Sequence, residues 1–156
     1  MKIIILTVGK IKEKFYTEAV NEYLKRLSRY CKAEVVQVAD EKTVENCSET
    51  EADMVKEKEG NRILAKIPDD AYVITLEING KQLDSLELAD KINRLGINGK
   101  SHIVFVIGGS LGLHKKVSDR SDYKLSFSKM TFPHQLMRVI LRNYRVVVRI
   151  TSFDQT

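Results

Sequence analysis

Residues 104–117 read VFVIGGSLGLHKKV, and this stretch decides the fold. Four apolar residues lead into two adjacent glycines, Gly108 and Gly109, and a basic segment follows. A short apolar run of this kind is typical of a strand buried on both faces of a parallel sheet. Ligands of such sheets bind beyond the carboxyl ends of the strands. Because glycines can adopt positive φ and let a ligand approach the backbone, we predict a ligand-binding loop here.

Strand and helix signals alternate along the rest of the chain, which predicts one α/β domain over residues 1–156. We expect a mostly parallel sheet flanked by helices. The predicted strands are 2–9, 33–39, 71–78, 101–109 and 123–128. The predicted helices are 12–27, a segment capped by Ser48 that ends near Lys66, a segment from Asp84 through Leu95, and one that begins at Pro133. Asn79-Gly80 is predicted to form a turn, and Gly96 to end the third helix.

Composition is typical of a globular protein, since 43% of the 156 residues are hydrophobic and 30% are charged. No apolar run approaches the ~20 residues that a membrane span requires. The apolar N-terminus is interpreted as a first strand rather than a signal peptide. Cys31 and Cys47 lie far apart and no cluster of metal ligands is evident, so we expect free thiols, no metal and a cytoplasmic location.

Charge is distributed unevenly along the chain, whose formal net charge is +5. The segment from Asp40 to Glu59 holds eight acidic residues against three lysines. The segment from Ser110 to Ile150 holds nine basic residues against two acidic ones. This polarity favours a polyanionic partner for the C-terminal half. Solvated helix faces are the alternative interpretation.

The glycine loop matches no common phosphate-binding motif. The spacing of Gly108, Gly109 and Gly112 is not that of GxGxxG, and no Gly-Lys-Ser/Thr follows. Two other predicted strand ends, 77–81 and 126–131, are rich in glycine or serine. We therefore expect three strand ends to form one cleft, with a tight turn that binds nothing as the alternative.

Nucleophile motifs are absent as well, because Ser110 lies in GGSLG and not in a GxSxG elbow. His102 lies in a strand, where a structural role is expected. His114 borders the loop, and a surface or capping role is favoured for it over a general base or an RNA contact.

Three segments together resemble the small SPOUT methyltransferases, and within them the bacterial ribosomal RNA large subunit methyltransferase H family. They are ITLEINGKQLDS (74–85), FVIGGSLGLHKKV (105–117) and LSFSKMTFPHQLMRVIL (125–141). The resemblance extends over residues 1–141. It implies a C-terminal trefoil knot, S-adenosylmethionine bound within it, and a homodimer. It also implies methylation of N3 of a pseudouridine in 23S rRNA on the assembled 70S ribosome.

The resemblance places the cofactor at positions that coincide with the three strand ends. They are Leu76, Gly108, Phe127, Ser128, Lys129, Met130, Thr131 and Phe132. S-adenosylmethionine has no phosphate, so an apolar slot edged by backbone polar groups suffices to bind it. Methyl transfer to N3 also requires loss of a proton, which a base or a cation near the ring promotes. The predicted catalytic residues are His134 and Arg138, and the predicted RNA-binding residues are Lys115, Lys116, Lys129 and Arg142.

The sequence departs from the family pattern after Leu141. Tyr144-Arg145 is similar to a family Tyr-Arg pair, whereas the terminal Tyr-His-Lys of the family has no counterpart. A non-catalytic RNA-binding protein on the same fold is therefore an alternative to an active methyltransferase. Strand–helix alternation alone also permits a flavodoxin-like nucleotide-binding module.

Overall fold

The computed structural model describes residues 1–43 and 45–141, with the side chains of residues 134 and 135 excepted. Its strands are β1 (Lys2–Val8), β2 (Lys32–Val38), β3 (Tyr72–Gln82), β4 (His102–Ile107) and β5 (Tyr123–Ser126). Its helices are α1 (Lys14–Leu27), α2 (Glu49–Ala65), α3 (Ser85–Ile97), α4 (Lys115–Arg120) and α5 (His134–Ile140). The predicted alternation of strands and helices is confirmed.

The strands form one parallel sheet in the order β2-β1-β4-β3-β5. β4 is the central strand, and its register pairs Val106 with Leu6 of β1 and with Thr75 of β3. Central position explains why its sequence is apolar throughout, since both faces of the strand are covered. The same order makes β3, β4 and β5 neighbours, so their carboxyl ends meet at one edge of the sheet. The predicted α/β class with a parallel sheet is confirmed.

Helices cover the two faces of the sheet, and the alternation of side chains along each strand divides the core between them. One cluster joins Ile5 and Phe105 to α3, and Met137 of α5 packs against it. The other cluster joins Leu6 and Val106 to helices α2 and α4. Burial of these apolar side chains on both faces is the main force that stabilises the sheet and its helices.

The described part of the chain contains no helix long and apolar enough to cross a membrane. It also contains no group of three or more His, Cys, Asp or Glu side chains arranged to hold a metal ion. Cys31 and Cys47 are free and partly buried.

The prediction of a turn at Asn79-Gly80 is wrong, because β3 continues to Gln82. The pairing of β3 with β5 shifts register between Leu76 and Lys81, which marks a bulge. A Cβ atom on Gly80 would lie 2.7 Å from the backbone oxygen of Lys124. Gly80 therefore allows β3 and β5 to approach closely. The Asn-Gly pair in the sequence does not indicate this role, because it is also typical of a turn.

The prediction that Gly96 ends α3 is also wrong, although the capping box of Asp84 and Glu87 is confirmed. The helix runs to Ile97, and Gly99 adopts a positive φ of 84°. The N–H of Gly99 donates to the oxygen of Gly96 at 3.1 Å, and that of Lys100 to Leu95 at 2.9 Å. This pair of bonds is the Schellman motif, which places the required glycine beyond the helix.

Replacement of Gly96 and Gly99 by alanine, one at a time, tests where the helix ends. We expect Gly99→Ala to lower the free energy of unfolding by about 1 kcal/mol, because alanine is strained at positive φ. The control Gly96→Ala should leave stability unchanged or raise it by about 0.5 kcal/mol, since alanine is the better helix former. Its Cβ would meet only the terminal methyl of Met1. Urea denaturation measures both, and a larger loss for Gly96→Ala would contradict the assignment.

Candidate functional site

A cavity of about 380 Å³ opens at the carboxyl ends of β4 and β5, beside the bulge of β3. This volume lies in the ~300–1,000 Å³ range of small-molecule sites. Its wall is formed by residues 76–78, 107–113, 125–128 and 130–132, together with Met137 of α5. The expectation that three strand ends form one cleft is confirmed for β4 and β5, whereas β3 continues to Gln82 and contributes residues 76–78 from its middle.

The glycine loop after β4 forms a tight turn at the cavity wall. The carbonyl oxygen of Gly109 accepts a hydrogen bond from the N–H of Gly112 at 3.0 Å. Positive φ occurs at Gly112, where it is 87°, and not at the two adjacent glycines as the sequence suggested. Gly108 is required by space, because a Cβ atom there would lie 2.9 Å from the carbonyl carbon of Gly112.

Gly109 lies in close contact with Glu59 of α2. A Cβ atom on Gly109 would lie 3.1 Å from Oε1 of Glu59 and 3.4 Å from a methyl of Val8. Only 5% of Glu59 is exposed, which is rare for a glutamate. Its Oε2 accepts a hydrogen bond from the N–H of Glu41 at 3.1 Å. Sequence reasoning missed Glu59, since nothing in its helical context distinguishes it from the exposed acids around it.

Burial raises the pKa of the Glu59 carboxyl group, because a charged group loses hydration in the interior. The nearby carboxylates of Asp40 and Glu41 act in the same direction. The backbone hydrogen bond from Glu41 and the guanidinium of Arg62 oppose the change without cancelling it. A titratable group with a raised pKa thus lies directly against the turn that forms the cavity wall.

Glu77 is among the residues that line the cavity, and its carboxylate is bound by hydroxyl groups. Its Oε1 accepts a hydrogen bond from the hydroxyl of Ser118 at 2.9 Å, and its Oε2 accepts one from Thr75 at 2.6 Å. These hydroxyls come from α4 and β3, so the carboxylate is held from two sides. Sequence reasoning placed Glu77 at a strand end without assigning it a role.

The rest of the wall is largely apolar. Phe127 and Phe132 are partly exposed at the cavity, and Met130 is mostly exposed. Ser128 orders this segment, because its hydroxyl accepts a hydrogen bond from the N–H of Met130 at 3.0 Å. An apolar slot with ordered backbone polar groups suits a planar heterocycle with hydrogen-bonding edges.

Most of the predicted cofactor positions come together in this wall. The structure places Leu76, Gly108, Phe127, Ser128, Met130, Thr131 and Phe132 there. Lys129 is the exception, since it is exposed and is not among the residues that line the cavity. Whether these residues bind a cofactor stays a prediction.

The two predicted catalytic residues lie on α5. Arg138 is fully buried, and its Nη2 donates hydrogen bonds to the carbonyl oxygens of Val8 at 2.7 Å and Gly9 at 3.0 Å. It is not among the residues that line the cavity, and burial lowers the pKa of its guanidinium group. The side chain of His134 lies outside the described part of the structure. Catalysis by either residue stays a prediction.

The predicted RNA-binding lysines on α4 are engaged in ion pairs. Lys115 pairs with Asp119 at 3.0 Å, and Lys116 pairs with Glu57 of α2 at 2.7 Å. His114 caps the N-terminus of α4, because its Nδ1 accepts a hydrogen bond from the N–H of Lys116. The capping role favoured for His114 is confirmed. The predicted contact at Arg142 lies outside the described residues.

Comparison with known proteins gives a consistent result. The family described as "Predicted SPOUT methyltransferase" matches residues 1–148, which extends past Leu141. Proteins described as "Ribosomal RNA large subunit methyltransferase H" are similar over nearly the whole chain. That of Clostridium novyi is 59% identical, with 90% of this chain and 89% of that protein covered. That of Bifidobacterium adolescentis is 61% identical with the same coverage, and that of Clostridium tetani is 56% identical with 94% and 96% covered.

Two glutamates of α2 provide a matched test of the electrostatics. The raised pKa of Glu59 means that its contribution to stability is present below its ordinary pKa and is lost as pH rises through the raised value. Glu59→Gln should therefore gain stability relative to the wild type between about pH 3 and pH 7.

Glu57 should behave in the opposite sense, because its bond to Lys116 lowers its pKa. Its contribution is present above its ordinary pKa and is lost as pH falls, so Glu57→Gln should lose stability relative to the wild type over the same rise in pH. Urea denaturation of both variants across this range decides the matter. Parallel pH profiles for the two variants would contradict the assigned environments.

Proposed function

Because this chain belongs to the ribosomal RNA large subunit methyltransferase H family of SPOUT methyltransferases, we propose that it methylates 23S rRNA with S-adenosylmethionine. The proposed target is N3 of a pseudouridine on the assembled 70S ribosome. The observation that carries this proposal is the cavity at the ends of β4 and β5 and the bulge of β3, whose wall includes every predicted cofactor position except Lys129.

The residues of the cavity fit S-adenosylmethionine. Its size and apolar walls suit an adenosyl group, and the turn at Gly108 brings backbone polar groups to its edge. S-adenosylmethionine, when bound, supplies an activated methyl group to a nucleophile.

The contribution of the chain is to position that methyl group and the pyrimidine ring, which is the main source of rate in an in-line transfer. The proton at N3 must also leave, and we propose His134 at the start of α5 as its acceptor. Arg138 fixes α5 against the end of β1 through its bonds to Val8 and Gly9. Its Nε and Nη1 are buried and have no hydrogen-bond partner within the described residues.

We propose that the protein acts as a homodimer in the cytoplasm and that its C-terminal segment is knotted, as the family resemblance implies. Exposed apolar side chains near the cavity, among them Met130 and Phe132, are suited to burial against a second copy. Light scattering after size exclusion tests the oligomeric state directly.

Methyl incorporation tests the activity. Purified protein and labelled S-adenosylmethionine are added to ribosomes from a strain that lacks the modification. We expect incorporation into 23S rRNA, with mass spectrometry locating the methyl group at N3. Fully modified ribosomes serve as the control and should remain unlabelled. Binding to ribosomes without transfer would favour the non-catalytic alternative, for which the departure from the family pattern after Leu141 is the motivating observation.

Removal of one aromatic ring tests the cavity. Phe127→Ala removes a wall residue and should weaken S-adenosylmethionine about tenfold, which corresponds to ~1.4 kcal/mol of lost contact. Phe15→Ala is the matched control, because Phe15 is an exposed phenylalanine on α1 that does not line the cavity. Isothermal titration should find wild-type affinity for the control. Equal affinities for both variants would contradict the assignment of the cavity.

Neutralisation of Lys129 tests the RNA surface, since Lys129 is exposed beside the cavity and has no ion-pair partner among the described residues. Lys129→Ala should weaken ribosome binding and reduce the slope of log affinity against log salt by about 1. Lys100→Ala, at the opposite end of β4, should change neither quantity. Filter binding at several salt concentrations measures the slopes, and identical slopes for the two variants would exclude a phosphate contact.

A further inference from the structure

Helix α2 supports the glycine turn from outside the cavity. Two consecutive residues of the helix, Glu59 and Gly60, contact the two ends of the loop that follows β4. The carboxyl group of Glu59 lies against Gly109 at the beginning of the loop. Gly60 lies against its end, because a Cβ atom there would be 3.2 Å from side-chain atoms of both His114 and Val117. The turn is therefore held at both ends by one helix.

Glu59 lies on the side of Gly109 where a Cβ atom would project. Gly109 itself lines the cavity. The carboxyl group is anchored independently of the loop, through the hydrogen bond from Glu41. Glu41 is held by Arg62, whose guanidinium pairs with its carboxylate. Arg62 also donates a hydrogen bond to the carbonyl oxygen of Ala39 at 3.0 Å. The support of the turn thus extends to the end of β2.

We propose that Glu59 is a positioning residue for the cofactor, because its buried carboxyl group fixes Gly109 in the cavity wall without touching the ligand. This inference rests on the proposed function, since it assumes that the cavity binds S-adenosylmethionine. It explains why a carboxyl group stays buried at this position, where an apolar side chain would avoid the cost of desolvation. An apolar side chain would also leave the N–H of Glu41 without its acceptor.

Ligand-free NMR tests the contact itself. In labelled protein, Glu59→Ala should shift the amide resonances of Gly109 and Gly112, whereas Glu22→Ala, at an exposed glutamate on α1, should not. In the wild type the Gly109 resonance should follow the titration of a carboxyl group as pH is raised, and Glu59→Gln should abolish that dependence. The charged groups that act on Glu59 are Asp40, Glu41 and Arg62, and all three side chains are retained in the variant. A Gly109 amide resonance that does not change in the Glu59 variants would overturn the inference.

Isothermal titration with S-adenosylmethionine tests the consequence. Glu59→Ala should weaken binding about tenfold, because Gly109 loses the side chain packed behind it and the N–H of Glu41 loses its acceptor. Glu59→Gln keeps the shape and an acceptor oxygen and should bind with wild-type affinity, which a general loss of folding would not permit. Glu22→Ala should also bind normally.

A double-mutant cycle adds a test that does not depend on the folding of one variant. Gly109→Ala should weaken binding in the wild type, because its Cβ would meet Oε1 of Glu59. The same change should weaken binding less in the Glu59→Ala protein, where that oxygen is gone. Additive effects, or full affinity in Glu59→Ala, would overturn the inference alone. Failure of the wild type to bind S-adenosylmethionine would overturn the proposed function together with it, while the NMR result would still decide the contact.

Discussion

The close packing around Gly108 and Gly109 is the constraint on which the candidate site depends. Neither glycine is explained by an unusual backbone angle. Gly108 lies against the backbone of Gly112, and Gly109 lies against the carboxyl group of Glu59. A side chain at either position must displace the turn or its neighbour, and the turn is one wall of the cavity. The volume available to a ligand is therefore set by contacts on the far side of the loop.

The sheet supplies the frame for this arrangement. Because β4 lies between β1 and β3, and β5 lies beyond β3, the loops that follow β4 and β5 meet the bulge of β3 at one edge of the sheet. Helices on opposite faces then hold these loops. Helix α2 supports the turn through Glu59 and Gly60, and α5 is tied to the end of β1 through Arg138. The site thus combines loops and strand ends with supports that belong to the packed core.

Much of this could be predicted from the sequence, because buried strands and capped helices have strong local signals. The apolar run before Gly108 and the Asp84–Glu87 capping box indicated their elements correctly. The errors have one cause, since Gly80 and Gly96 were interpreted by local turn and cap preferences. Gly80 instead allows the close approach of β5, and Gly99 forms the C-terminal cap of α3.

The candidate site was predictable in part for the same reason. The three strand ends carry their own glycine and serine signals, and family resemblance identified the positions on them. Glu59 and Glu77 were missed as functional residues, because the contacts that distinguish them join residues far apart in the chain. Burial of one glutamate among several exposed ones is a tertiary property. The charge of Lys115 and Lys116 was likewise visible in sequence, whereas their acidic partners on α4 and α2 were not assigned.

A crystal structure of the protein with S-adenosylhomocysteine tests the central claim most directly. The account predicts the adenine ring between Leu76 and the segment 127–132, with the turn at Gly108 against the ligand and Glu59 unmoved behind Gly109. A ligand bound elsewhere on the protein, or bound here only after the turn has separated from Glu59, would contradict it.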